Sequence, residues 1–117
     1  MTDTTDLRGR PATLAILLVR HGARFVVVGS TARWLTTGTG SPGDLDVVVD
    51  ASDLPLLAEA LGALGVHVDA AVLARSSPTH VDTSWGPLDV FVAEPPASRE
   101  VPFDAGDASA DLPVEDA

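Results

Sequence analysis

The sequence predicts an α/β fold: one domain with a mixed β-sheet flanked by helices. Three observations carry this. Phe25-Val26-Val27-Val28 is apolar on both faces, as a central strand must be. Asp44-Leu45-Asp46-Val47-Val48-Val49 alternates polar and apolar at its start, which is strand periodicity. Between and around these runs lie longer stretches with proline at their starts and glycine just past their ends, which are helix signals.

The elements follow in order. A helix is expected over residues 11–22, with Pro11 in its first turn and Gly22 at its end. Arg24 to Val28 forms the first strand. Gly29-Ser30 breaks it and opens a short helix to about Thr36, followed by a Gly/Ser/Pro loop over residues 37–43. Asp44 to Asp50 is the second strand. Ser52 or Asp53 caps a helix to about Leu64, with Pro55 in the first turn and Gly65 beyond the end. Leu54, Leu57, Leu61 and Leu64 give that helix one apolar face. Val66 to Leu73 reads as a third strand. His80–Ser84 and Leu88–Val92 form a hairpin around Trp85-Gly86-Pro87. The order is αβαβαβββ.

Composition bounds the chemistry. The chain has 117 residues, 17 acids and 7 bases, for a formal charge of −10. All seven bases are arginine. The absence of lysine excludes a Schiff base and a P-loop, which needs its lysine. The absence of cysteine excludes disulfides, a thiolate nucleophile and a cysteine zinc site. The acidity argues against non-specific binding to bare nucleic acid or an anionic membrane and admits metal ions. It is uneven. Residues 93–117 hold seven acids, one arginine and four of the nine prolines, and read as a loosely ordered tail. Residues 1–6 read as a flexible leader. Residues 7–92 hold eight acids and six arginines, so the domain itself is close to neutral. The apolar run Ala12–Val19 is far shorter than the roughly 20 residues that span a bilayer. Asp3 and Asp6 precede it where a signal peptide carries basic residues, and a cytoplasmic protein without membrane contact is expected.

The candidate site starts from Asp44 and Asp46. Strand side chains alternate, so these two carboxylates share one face while Leu45, Val47 and Val49 take the other. Paired carboxylates on a rigid strand suit Mg2+ or Mn2+, which take hard oxygen ligands. A solvated strand end is the alternative. Gly29-Ser30 ends a buried strand and starts a helix, and free N–H groups there suit a phosphate. A plain N-cap also accounts for Ser30. Asp89 sits inside the apolar run Pro87–Val92, where a carboxylate is costly unless paired, hydrogen-bonded or metal-bound. If this strand lies beside Asp44–Asp50 in matching register, Asp89 joins the first two acids. Otherwise it faces water from an edge strand.

Taken together, Gly29-Ser30, Asp44-Leu45-Asp46-Val47 and Leu88-Asp89-Val90 resemble the signature of the DNA polymerase beta nucleotidyltransferase superfamily. Gly29-Ser30-Thr31-Ala32-Arg33 is similar to the Gly-Ser-x-Ala-Arg form of small stand-alone prokaryotic members, the minimal and toxin–antitoxin nucleotidyltransferases. The resemblance spans about residues 12–92. It implies a nucleotidyltransferase-like domain that moves a nucleoside monophosphate from a nucleoside triphosphate, such as ATP, to a hydroxyl acceptor and releases pyrophosphate. By it, Asp44 and Asp46 bind both metals. Asp89 binds the catalytic one and helps deprotonate the acceptor. Gly29 and Ser30 hold the triphosphate, and Arg33 contacts phosphate or serves as a helix-surface residue. The gap before Asp44 is long for the family, and the region after the third acid is acidic where relatives bind base and acceptor. That departure motivates a second expectation: a non-catalytic binding subunit, an antitoxin or regulator, completed by a helical partner or by a second copy. The acceptor is left open among protein, RNA and small molecule.

Other signals are weaker. Gly38–Gly43 matches G-x-G-x-x-G, but it follows a helix and precedes a strand, the wrong context for a dinucleotide fingerprint; a flexible loop or a lid is expected. His21 favours a helix end, and His67 faces solvent. His80 and Asp82 share a strand face and could approach the site either behind its ligands or from the acceptor side. Trp34 and Trp85 read as packing residues or interface anchors rather than base-stacking platforms.

Overall fold

The computed structural model describes residues 9–75 and 77–116. Its elements run α1 (Arg10–Arg20), β1 (Val26–Val28), α2 (Gly29–Thr37), β2 (Leu45–Val49), a 3-10 turn (Ala51–Asp53), α3 (Leu54–Ala63), α4 (Ala70–Arg75), β3 (Thr79–Thr83), β4 (Gly86–Val92), β5 (Ser98–Asp104) and β6 (Ser109–Glu115). The fold is α/β. Six strands form one mixed sheet in the order β3-β4-β2-β1-β6-β5. β2 pairs with β4 in parallel and with β1 antiparallel, while β6 joins β1 in parallel.

Alternation sorts the two faces of the sheet. Leu45, Val47 and Val49 of β2 and Leu88 and Val90 of β4 are fully buried. They pack in one core with Leu14, Ile16 and Leu18 of α1 and Leu57 and Leu61 of α3. Pro11 stands in the first turn of α1, where its missing N–H is harmless. The residues between the buried ones, Asp46 and Asp89 among them, turn to the opposite, half-exposed face. β1 is central, as its doubly apolar run requires.

Two expectations are corrected. Val66–Leu73 is not a strand. Residues 66–69 lack regular structure, and Ala70–Arg75 is helix α4. Alanine is the strongest helix former, and Ala70, Ala71 and Ala74 outweigh the alternation of Val66 and Val68. The Asp69 carbonyl starts the turn by accepting from the Val72 and Leu73 amides, and Leu73 alone in the helix is fully buried.

The tail over residues 93–117 is also structured through most of its length: β5 and β6 pair antiparallel from Ser98↔Glu115 to Asp104↔Ser109. Leu112 and Val114 of β6 are fully buried in the main core. Burial of this alternating pair outweighs the acid and proline content that suggested disorder. Pro102 lies on the edge strand β5, where a strand tolerates proline. The connection is a tight turn in which the Gly106 amide donates to Asp104 Oδ1 at 2.8 Å. Phe103 meets Trp34 of α2 edge-on, with centroids 5.5 Å apart, which ties the hairpin to the helix. The expected leader, residues 1–6, lies outside the described residues. The observed order therefore replaces the expected third strand with a fourth helix and adds two strands at the C-terminal end.

Candidate functional site

The site is assembled by register. Across the parallel β2–β4 pair, Leu45 faces Leu88, Asp46 faces Asp89 and Val47 faces Val90. Asp46 and Asp89 thus sit side by side on the half-exposed face. Asp44, two residues before Asp46, shares that face. One carboxylate oxygen from each of Asp44, Asp46 and Asp89 lies within 4.8 Å of the others. The matching register expected for Asp89 is present.

Helix α2 buttresses this cluster. Thr31 is fully buried, and its hydroxyl donates to the Asp44 carbonyl at 2.7 Å, fixing the start of β2. Gly29 has φ +73, and a Cβ there would stand 2.8 Å from Asp46 Oδ2. Glycine is needed at this position both for the backbone angle and for the room it leaves Asp46. Gly29, not Ser30, is the first residue of α2, and the helix has no side-chain cap, so Ser30 is not an N-cap. Its exposed side chain lines a cleft of about 660 Å3 together with Gly29, Arg33, Thr36 and Glu115. Gly40 and Ser41 of the glycine-rich loop line the same cleft.

Charge at the site is concentrated. Burial, then repulsion from Asp44 and Asp89, pushes the Asp46 carboxyl up to about 6. Burial and Asp89 raise Asp44 as well. Asp89 is held below the usual carboxylate range, chiefly by a hydrogen bond from His80. His80 Nδ1 lies 2.9 Å from Asp89 Oδ1, and Nε2 lies 3.0 Å from Asp82 Oδ1. A carboxylate only accepts, so both bonds need an N–H, and the doubly protonated imidazolium supplies two. These bonds raise the His80 pKa.

The donor set fits a divalent cation. It offers three hard oxygen ligands, and a divalent ion held there would relieve the like-charge repulsion among them. Among the described residues, no helix is long and apolar enough to cross a membrane.

The structure brings Asp44, Asp46 and Asp89 together on the sheet face with Gly29 against Asp46, while Ser30 and Arg33 line the α2 cleft, which Gly29 shares and none of the three carboxylates lines. Two contributors escaped the sequence reading. Thr31 lay inside the Gly-Ser-x-Ala-Arg segment, with no local sign that its hydroxyl reaches across 13 residues. Glu115 lay in the supposed tail. Its Oε2 accepts the Gly29 N–H at 2.8 Å, so an internal carboxylate holds the amide expected to face a phosphate. Comparison with family models, with curated proteins and with solved structures gives no match.

Proposed function

We propose that the protein is a Mg2+- or Mn2+-dependent nucleotidyltransferase that moves a nucleoside monophosphate from a nucleoside triphosphate to a hydroxyl acceptor. The observation that carries this reading is the convergence of Asp44, Asp46 and Asp89 on one sheet face, next to a helix that opens with Gly29-Ser30. The resemblance of those segments to the DNA polymerase beta superfamily supports it. The three carboxylates hold the metal, which when bound supplies Lewis-acid charge at the reacting phosphate. In this reading Gly29 and Ser30 receive phosphate oxygens once Glu115 gives way, and Arg33 adds a positive charge one turn along. The acceptor oxygen bonds to the α-phosphorus, the bond from that phosphorus to the bridging oxygen breaks, and pyrophosphate leaves. In this reading Asp89, held in its ionised form by His80, accepts the hydroxyl proton.

The test is incubation with each radiolabelled triphosphate and Mg2+ or Mn2+, alone and with protein, RNA and small hydroxyl acceptors. Label transfer with pyrophosphate release, abolished in Asp46→Ala, supports the reading. Transfer that survives Asp46→Ala, or no transfer under any condition, overturns it.

One observation favours a second reading, a non-catalytic binding subunit acting with a partner protein. Glu115 occupies the Gly29 amide, as a carboxylate that closes the anion site permanently would. Partner capture unchanged in an Asp44/Asp46/Asp89 triple alanine variant would decide for it.

A further inference from the structure

A carboxylate that binds a divalent ion works best when the rotation of its head group is fixed by a hydrogen bond from an outer residue. Among the three acids, Asp89 has such a partner of unusual construction. His80 faces it directly across the antiparallel β3–β4 pair, so the imidazole reaches Asp89 Oδ1 from a strand position and not from a loop. The far ring nitrogen is held in turn by Asp82, two residues along on the same face of β3. The three side chains run outward from the cluster: Asp89 is 23% exposed, His80 58% and Asp82 91%. Both ring nitrogens are engaged, so the ring plane is fixed. With Oδ1 engaged, the Cβ–Cγ rotation of Asp89 is fixed too, and with it the direction of both oxygens relative to Asp44 and Asp46.

We infer that His80, braced by Asp82, is a positioning residue that sets the Asp89 carboxylate for divalent-ion binding. The inference rests on the reading of Asp44, Asp46 and Asp89 as a metal centre. It does not require that the reaction be nucleotidyl transfer.

The test is Mn2+ titration of the full chain, with free Mn2+ followed by electron paramagnetic resonance. Wild type is compared with His80→Ala, His80→Asn, His80→Gln and Asp82→Ala, and melting temperatures of the metal-free proteins check folding. His80→Ala is expected to weaken Mn2+ binding by about 10–100-fold while the metal-free protein stays folded. Asn places an amide N–H near the position of Nδ1, so His80→Asn recovers most of the affinity. Gln places it one carbon farther out and recovers less. Asp82→Ala gives a smaller loss.

Equal Mn2+ affinity in wild type and His80→Ala overturns the inference and leaves the metal centre standing. Tighter binding in His80→Ala also overturns it, because His80 then blocks the site. A His80→Asn variant that folds but binds no better than His80→Ala shows that the Nδ1 bond is not the operative one. Wild type that binds no Mn2+ removes the metal centre and the inference together. Nucleotide transfer is not part of the readout, so its absence alongside the expected Mn2+ pattern counts against the proposed reaction only.

Discussion

Asp46 on β2 and Asp89 on β4 are direct register partners in a parallel strand pair, both turned away from the helix-covered core. Parallel pairing in register places identical side chains next to each other on one face, and two carboxylates at that spacing repel. Their neighbours Leu45, Val47, Leu88 and Val90 are fully buried, and that burial holds the register. A slip by one residue would put the acids into the core. The repulsion is thus built into the packing, and its release by a cation gives measurable consequences.

Stability should depend on pH through Asp46. Its pKa rises from 3.8 to about 6 on folding, so between those values the folded state binds more protons than the unfolded state. Stability is therefore lost as pH rises through this window. Asp89 acts in the opposite sense: its pKa is lowered, so its contribution is present above the unfolded value and lost on acidification. Asp46→Asn removes the first effect and leaves His80, the main cause of the second, in place. It should stabilise the metal-free protein at neutral pH by on the order of 1 kcal/mol, after allowance for solvent screening at a half-exposed site. Thermal melts across the window check this, and Mn2+ should raise the melting temperature of wild type but not of Asp46→Asn.

Gly29→Ala should separate folding from metal binding. The positive φ alone costs about 1–2 kcal/mol in urea unfolding. The new methyl group also meets Asp46 Oδ2 at 2.8 Å, and the carboxylate can yield only by turning. Mn2+ affinity should therefore fall by more than an equal loss of stability from a core substitution far from the site would cause.

Thr31→Val keeps the shape of a buried side chain and removes its hydroxyl. The Asp44 carbonyl loses its donor, at a cost of about 1–3 kcal/mol. Thr31→Ser keeps the donor and should lose less. Denaturant curves of the two variants give the comparison directly.

Much of this was legible in the sequence. The alternation around Asp44 and Asp46, the doubly apolar Phe25–Val28 run and the Leu88-Asp89-Val90 segment were enough to bring three acids and a glycine turn together. Each is a local pattern with a local cause. The C-terminal hairpin was not legible, because its acids and prolines describe an unfavourable segment when counted alone. Its stability comes from Leu112 and Val114 entering a core built by residues nearly a hundred positions earlier. Glu115 was missed for the same reason, since its contact with Gly29 spans 86 residues and exists only once β6 pairs with β1. Helix α4 was missed because two alternating valines before it imitate a strand.

That hairpin is part of the domain. Leu112→Ala should cost about 2–5 kcal/mol in denaturant unfolding, the range for a fully buried leucine. A surface-like loss below 1 kcal/mol would show that β6 does not belong to the core.

Glu115→Gln should ease the approach of anions to the α2 amide by removing the negative charge while keeping an acceptor that a ligand can displace. The carboxylate that accepts the Gly29 N–H repels phosphate, and the amide of glutamine does not. Tripolyphosphate with Mg2+ should bind the variant several-fold more tightly by calorimetry, with Mn2+ affinity unchanged. Weaker binding would mean that Glu115 serves the ligand.

The most direct test of the site is anomalous scattering from a crystal grown with Mn2+ and a non-hydrolysable nucleoside triphosphate. The expected map has manganese between Asp44, Asp46 and Asp89, with phosphates at Gly29 and Ser30 and the Glu115 carboxylate displaced. Manganese bound elsewhere, or no manganese among these three carboxylates, would contradict the assignment.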